Sequence, residues 1–461
     1  MMSNWLHNKP ASRQWSKIQL WIFVAFATLF TIVGWAVVRE TLAYRTLTTT
    51  IAQLRAAGIP TIEAMAAQLD GATHREGSLA WAEVLELATN SWSRQLGANL
   101  PYIGSGEIPE LTPEASLGWK DKDEVEAYLT QCSPVLETLH SLSSFPAPVW
   151  LPLESQGIST PLTYHNNISY ANNMLLLDAE LALHQRGASR AIRDIQSSLA
   201  LADAFDWDLL LSTKHASNWT RARTYSMIRR SLQIGLWDEE QLSQLRALVE
   251  ESATEIESTL PALMKNQLAI QLPLLESGMP WHDNHHNVLF RKLAGLPSVR
   301  LSVLEELSSW ASLPAAGLNI IVANAERISQ ENALGWRLNT YSLELDQWYR
   351  TILLNFLMTE ENRRYTLSAI AVKQYHLKNG QWPEHLEQLE SLGLAPDDWL
   401  TSWDQKFGYE VEDGVAYLWT YRIPLNPGQV ATPDRTIPDI RPDYSSQPNK
   451  ELFPESTIAI R

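Results

Sequence analysis

Leu20–Val38, LWIFVAFATLFTIVGWAVV, contains no charged side chain, and nothing else in the chain limits its folding as severely. As a helix rising about 1.5 Å per residue it approaches the roughly 30 Å hydrocarbon core of a bilayer. A helix satisfies its own backbone there, whereas in water every side of this one would need cover. The segment is therefore expected to span a membrane. Trp15 and Trp21 before it and Trp35 near its end suit the two interfaces, and Lys9, Arg13 and Lys17 precede it with no acidic residue among them. That asymmetry places the short N-terminus in the cytoplasm. A cleaved signal peptide is the rival. Its apolar region is about 7 to 15 residues and ends at a small-x-small site, whereas RETLAYR follows here. We expect residues 1–17 to be cytoplasmic, residues 18–38 to form an uncleaved single-pass anchor in the cytoplasmic (inner) membrane, and the bulk of the chain to be extracytoplasmic, in a periplasm where there is one.

The remainder is long enough for substantial cores, with 461 residues in all and 45% of them hydrophobic. A formal net charge of -16 repels a phosphate backbone, and no basic patch reverses it, so nucleic acid is not an expected partner. The single cysteine, Cys132, excludes an internal disulfide framework and any multi-cysteine metal knot.

After the anchor, residues 39–160 read as a helical stalk with loops. RETLAYRTLTTTIAQLRAAG keeps apolar residues at helical spacing up to Gly58 and Pro60, which read as a cap and a breaker. HREGSLAWAEVLELATNSW and DKDEVEAYLTQCSPVLETLHSL are further amphipathic helices, the second opened by an Asp121 and Glu124 capping box and bent at Pro134. Residues 161–345 read as an antiparallel α-hairpin array or bundle. Ala191, Ile192, Ile195, Leu199 and Ala202 share one helix face, Gly187 and Gly235 follow helix ends, and Asp238 with Gln241 caps the next start. The array is similar in shape to tetratricopeptide hairpins, without their fixed period. Residues 346–425 read as a long helix carrying Trp348, Ile352, Phe356, Leu367, Ile370 and Ala371, followed by a small α+β module. Residues 426–461, rich in Pro, Asp and Ser, read as an extended or disordered tail. The fold class is thus mainly α, with a small C-terminal sheet.

At the end of the long helix, YHLKNGQWPEHLEQL is followed by SWDQKFGYEVEDGVAYLWTYRIP, in which Tyr409, Val411, Val415, Tyr417 and Trp419 suggest strands turned at Glu412-Asp413-Gly414. This stretch resembles the post-helix part of type II secretion pseudopilins through Tyr375, Gly380, Trp382, Pro383, Leu386, Leu389, Asp404 and Gly408. It departs from them in lacking a leader glutamate at the start of the apolar helix, since Glu40 lies after it, and in having no acidic calcium loop. The resemblance implies a folding device: Gly380 permits the cap, Pro383 fixes the turn, and Trp382 pins it. More broadly, the layout of anchor, LRAAG-x-P turn, helical array and terminal module resembles a group of bacterial membrane-anchored helical proteins with no activity attached to it.

The best metal-site candidates are His282, Asp283, His285 and His286 in MPWHDNHHNVLF, because imidazole and carboxylate suit zinc-like ions. Pro280 just before them suggests a loop or a polar helix start instead, and His165 could contribute from elsewhere, though nothing in the sequence brings it near. No nucleophile elbow, phosphate loop or dinucleotide fingerprint occurs, and Cys132 is read as a small half-buried side chain within a helix. Glu305-Glu306 and Glu360-Glu361 are adjacent, so they read as solvated faces. Arg221, Arg223, Arg229 and Arg230 read as partners in internal ion pairs. No catalytic residue and no cofactor is expected. The leading expectation is a membrane-anchored scaffold with envelope protein partners. The alternatives are a metal-dependent envelope hydrolase using His282–His286 and an accessory factor of a type II secretion or pilus-like assembly.

Overall fold

The computed structural model describes residues 12–61, 64, 72–91, 97–109, 111, 119–143, 163–205, 211–252, 256–277, 296–314, 321, 324–325, 327–328, 340–401, 405–420 and 457–460. The protein is mainly helical. Its helices are α1 (Ser12–Ala56), α2 (Ala72–Ser91), α3 (Lys122–Gln131), α4 (Ser133–Leu142), α5 (Thr163–His184), α6 (Ala188–Ala204), α7 (Leu211–Ser231), α8 (Glu239–Glu251), α9 (Ile256–Ser277), α10 (Pro297–Ala311) and α11 (Thr340–Asn379). Three strands, β1 (Gly408–Glu412), β2 (Val415–Trp419) and β3 (Thr457–Ile460), form one antiparallel sheet in that order. The chain divides into two units, residues 1–59 with 157–159 and 271–306, and the remainder.

In the first unit, α1 is one unbroken helix long and apolar enough to cross a membrane, and its apolar stretch is not buried anywhere in the protein. The same helix continues past that stretch and buries Ala43, Leu47 and Ile51. Glu40, at the junction, accepts hydrogen bonds from the Ser298 backbone N–H at 3.0 Å and the Ser298 hydroxyl at 2.7 Å. Ser298 lies in the first turn of α10, so this carboxylate satisfies one of the helix's orphan N–H groups and meets the positive end of its dipole. Nearer the end of α1, Arg55 donates to Glu276 at 2.5 Å, and Arg300 donates to the Leu275 carbonyl at 2.7 Å. Removing the cap by Glu40→Ala is expected to lower stability by about 1 kcal/mol, read as an earlier denaturant midpoint with the helix content of the native state unchanged.

The second unit is an array of helical hairpins. α5 lies against α6 and α7, α7 and α8 lie against α11, and α2 lies against α5. The predicted apolar face of α6 is the buried one, from Ala191 through Ala202. Asp238 and Gln241 make the expected reciprocal cap of α8. Three local expectations are corrected. Asp121 stands at the start of α3 without a side-chain cap. Pro134 does more than bend a helix: the chain breaks at Cys132 into α3 and α4, with the proline in the first turn of α4, where its missing N–H costs nothing. Cys132 is therefore a buried junction residue, not a mid-helix one. After α5 the left-handed position is taken by Arg186, at φ 59, and not by Gly187, whose N–H closes onto the Ala182 carbonyl at 2.7 Å.

The terminal module begins at the end of α11. α11 stops where Gly380 turns left-handed at φ 70 and its N–H meets the His376 carbonyl at 2.8 Å. Trp382 stacks on His376 with centroids 3.8 Å apart and donates its indole N–H to the Gly414 carbonyl at 2.8 Å, tying the helix end to the hairpin turn. Tyr409 donates to the Pro383 carbonyl at 2.8 Å. The stretch after Pro383 is a 3-10 helix, Leu386–Leu392, which buries Leu386 and Leu389. Gly408 opens β1 beneath the Trp419 indole, where a Cβ would sit 1.9 Å from the ring; Asp404 lies outside the described residues. The strand residues proposed from the sequence mix two faces. Tyr409 and Val411 pair with Leu418 and Ala416, and it is Ala416 and Leu418, both 0% exposed, that face the core. The tail is corrected as well: its residues Thr457–Ile460 form β3 along β2, with Ile460 opposite Ala416 and fully buried.

Candidate functional site

In the second unit the least apolar of the amphipathic helices is also deeply buried. α7, LSTKHASNWTRARTYSMIRRS, puts Ser217, Asn218, Thr220, Arg221, Thr224 and Arg229 in the interior. Buried polar groups need partners, and α5, α6 and α11 supply most of them. Ser198 of α6 donates to Asn172 of α5 at 2.5 Å and also meets Thr224. Arg221 pairs with Asp203 at 2.5 Å, Arg223 donates to Asn173, and Arg229 donates to Thr366 at 2.9 Å and covers the Tyr365 ring. Of the four arginines, Arg221 makes the internal ion pair expected of it, as does Arg230 with Glu180, while Arg223 and Arg229 tie helices through Asn173 and Thr366. One buried amide is left over: Asn218, with neither side-chain polar atom bonded, borders a cavity of about 10 Å³ beside Arg221, Tyr225 and Thr359. That is room for about one water.

The acidic pairs behave differently from the sequence reading. Glu360 is clamped by Arg363 and Arg364, each at 2.8 Å, and Glu361 is 6% exposed and accepts from Thr420. Glu306 is buried too, while Glu305 is exposed. Adjacent helical positions point about 100° apart, so one member of each pair can reach the interior when a donor waits there.

Two charge clusters stand out. In the first, Glu180 of α5, 0% exposed, receives Arg230 through both guanidinium nitrogens at 2.9 and 3.2 Å and the Tyr102 hydroxyl at 3.0 Å. Arg230 also donates to the Pro109 carbonyl at 2.7 Å, and His184 approaches Glu180 at 3.5 Å. Burial raises the Glu180 carboxyl, but the Arg230 charge and the hydrogen bonds from His184, Arg230 and Tyr102 outweigh it, so the group sits below its ordinary range. Tyr102 reaches this position from a tightly folded loop. Its φ is 63, and a Cβ on nearby Gly104 would fall 2.2 Å from the Ala98 carbonyl oxygen. A non-glycine residue in that conformation carries backbone strain that its surroundings must offset.

In the second cluster, His140 of α4, Asp178 of α5 and Asp194 of α6 converge, and one ligand-type atom from each lies within 4.8 Å of the others. His140 Nε2 is 2.6 Å from Asp194 Oδ1. Asp178 is held through both oxygens by Arg190. Asp194 Oδ2 meets no N–H or hydroxyl donor, although the side chain is 0% exposed. Burial, then the charge of Asp178, holds the Asp194 carboxyl well above the usual carboxylate range. Burial, then Arg193, takes His140 down to about 4. Asp194 is thus hydrogen-bonded to His140 on one side and to the Asp178 carboxyl on the other.

His282, Asp283, His285 and His286 lie outside the described residues, and so does the side chain of His165. The sequence reading missed the second cluster: its members stand on three helices, with His140 and Asp194 separated by 54 positions. The available signal was an acid amid apolar neighbours in both MLLLDAELAL and AIRDIQSSLA. No family model matches the chain, and no curated protein or solved structure matches it.

Proposed function

We propose that this protein is a scaffold held in the cytoplasmic membrane by α1, with its helical array and terminal module on the extracytoplasmic side, where they present surfaces to envelope proteins. The observation that carries this reading is the continuity of α1. The apolar stretch has its side chains exposed around the whole helix, and within about three turns the same helix supplies Glu40, Ala43 and Leu47 to the first folded unit. Cleavage near Arg39 would free the end of an element that this unit uses as a wall, which favours an anchor over a signal peptide. The scaffold role is supported by the use of Glu180, Arg230, Asp178, Arg190, Glu360 and Arg363 in ties between helices or turns of the array. The pseudopilin-like module is, on this reading, the part that docks onto a secretion or pilus-like assembly.

The full-length protein is expected to stay in the membrane pellet through alkaline carbonate extraction, and to be degraded by protease added to spheroplasts. A shorter soluble chain beginning near Arg39 would overturn the anchor, and protease resistance that disappears on lysis would overturn the orientation. Cross-linking in intact membranes should then recover envelope subunits in fixed ratio with the full-length chain, and recovery of the chain alone would count against a scaffold.

A further inference from the structure

We propose that His140, Asp178 and Asp194 form a binding site for a divalent transition cation of the zinc class, which fastens α4 to the α5 and α6 hairpin. Three features on the page carry this. The donor set, one imidazole and two carboxylates, is the borderline-to-hard combination that such ions take. The donors come from three separate helices and already stand within 4.8 Å of one another, so little rearrangement is needed. A cation holding His140 Nε2 and an Asp194 oxygen at about 2.1 Å each sets them about 3.0 to 3.4 Å apart, against the 2.6 Å between His140 Nε2 and Oδ1.

A further sign is Asp194 Oδ2, which is buried and meets no N–H or hydroxyl donor, while the Asp178 carboxyl bonds to Asp194 by sharing a proton that a cation would replace. An ionised oxygen in such a place is costly unless a positive charge meets it. Arg190 does not meet it, because its guanidinium is engaged with Asp178 and Gln185. Nor does Arg190 close Asp178 to a metal. An ionised carboxylate has about four lone-pair directions, and a guanidinium that takes two of them orients the group for a cation taking a third, as hydrogen-bonded carboxylate ligands commonly are. Two ionised carboxylates are balanced by the guanidinium of Arg190, bonded to Asp178, and by Arg193, whose charge also reaches Asp194 and His140, so a divalent cation enters near-neutral surroundings. On binding, the cation replaces the hydrogen bond between Asp194 and His140. Three protein ligands leave at least one position for water, and His140, with 11% of its side chain exposed, marks the open side.

The test uses the full-length protein in detergent, stripped with EDTA, reloaded with zinc sulfate, freed of excess by gel filtration and assayed for zinc per chain. The wild type is expected to hold about one zinc, and Asp194→Asn less than about a tenth of one, with the dissociation constant raised about 100-fold or more. Asn fills the same volume without a charge, so the stripped variant should melt as the stripped wild type does. Should it fail to fold, His140→Gln on the neighbouring helix replaces it in the same assay. Cobalt in place of zinc adds a visible absorption band that must vanish with the same substitutions. His282→Ala combined with His286→Ala should keep the zinc. A stripped wild type that takes up no zinc overturns the proposal, and so does zinc that persists in Asp194→Asn or is lost only with His282 and His286.

Discussion

Arg230→Ala is expected to lower the stability of the helical array by about 3 to 5 kcal/mol, because it leaves a buried carboxylate without its cation. Glu180 is 0% exposed and, without Arg230, keeps only the Tyr102 hydroxyl and the distant His184 nitrogen. The Tyr102 loop loses support in the same step, since Arg230 also donates to the Tyr102 oxygen at 2.9 Å and to Pro109. The loss should depend on pH in a definite direction. In the wild type Glu180 is depressed below its ordinary value of 4.5, so its contribution is present above that pH and fades as acid protonates it in the fold. In Arg230→Ala burial is opposed only by the hydrogen bonds from His184 and Tyr102, and it raises the carboxyl. The folded state then binds the extra proton, and the variant regains stability as pH falls. Denaturant midpoints for both proteins at pH 7 and pH 5 should therefore converge in acid. Glu180→Leu combined with Arg230→Met should recover more than half of the loss, since a buried pair can be replaced by apolar groups of like volume. A single variant within about 0.5 kcal/mol of wild type would show that Glu180 has another route to solvation.

Ile460→Ala is expected to cost about 2 to 4 kcal/mol, the range for removing buried methyl groups from a core that relaxes only in part. Ile460 is 0% exposed and stands opposite Ala416 of β2, whose own side chain is too small to fill the space. The same core contains Tyr365 and Leu367 of α11 and Phe407 ahead of β1. Loosening β3 should therefore be felt by the α11 end and the hairpin together. Hydrogen exchange gives the readout: amides of Val415–Trp419 that donate to β3 should exchange faster in the variant, while those of α6 stay protected. A change below about 0.5 kcal/mol would mean that β3 lies on the sheet without holding it.

What could be read from the chain and what could not divide along physical lines. Elements that announce themselves by apolar periodicity or by a backbone requirement were legible: α1, the face of α6 from Ala191 to Ala202, the reciprocal cap of Asp238 and Gln241, the left-handed stop at Gly380 and the turn at Asp413 and Gly414. α7 was recognised as a helix but not as a central one, since its buried residues are Ser, Asn, Thr and Arg, matched by polar groups on α5 and α6 that no hydropathy pattern foretells. β3 was illegible for a different reason. Four residues behind a Pro- and Asp-rich stretch carry too little pattern, and only the bare edge of β2 makes them a strand. The His140, Asp178 and Asp194 cluster exists only because three helices meet, so its spacing along the chain says nothing of its geometry.

The bond between Glu40 and Ser298 joins residues 258 positions apart, and this has consequences for the order in which the protein assembles. Contacts of such separation form slowly when the intervening chain is loose, because closing the loop costs entropy that grows with its length. Here the intervening chain contains α2 through α9, in which the consecutive helices α5, α6 and α7 lie against one another. Those hairpins can form first and shorten the effective loop, so that the first unit closes last. Until it does, Leu47 and Ile51 stand uncovered. Ser298 arriving at Glu40 ends that interval.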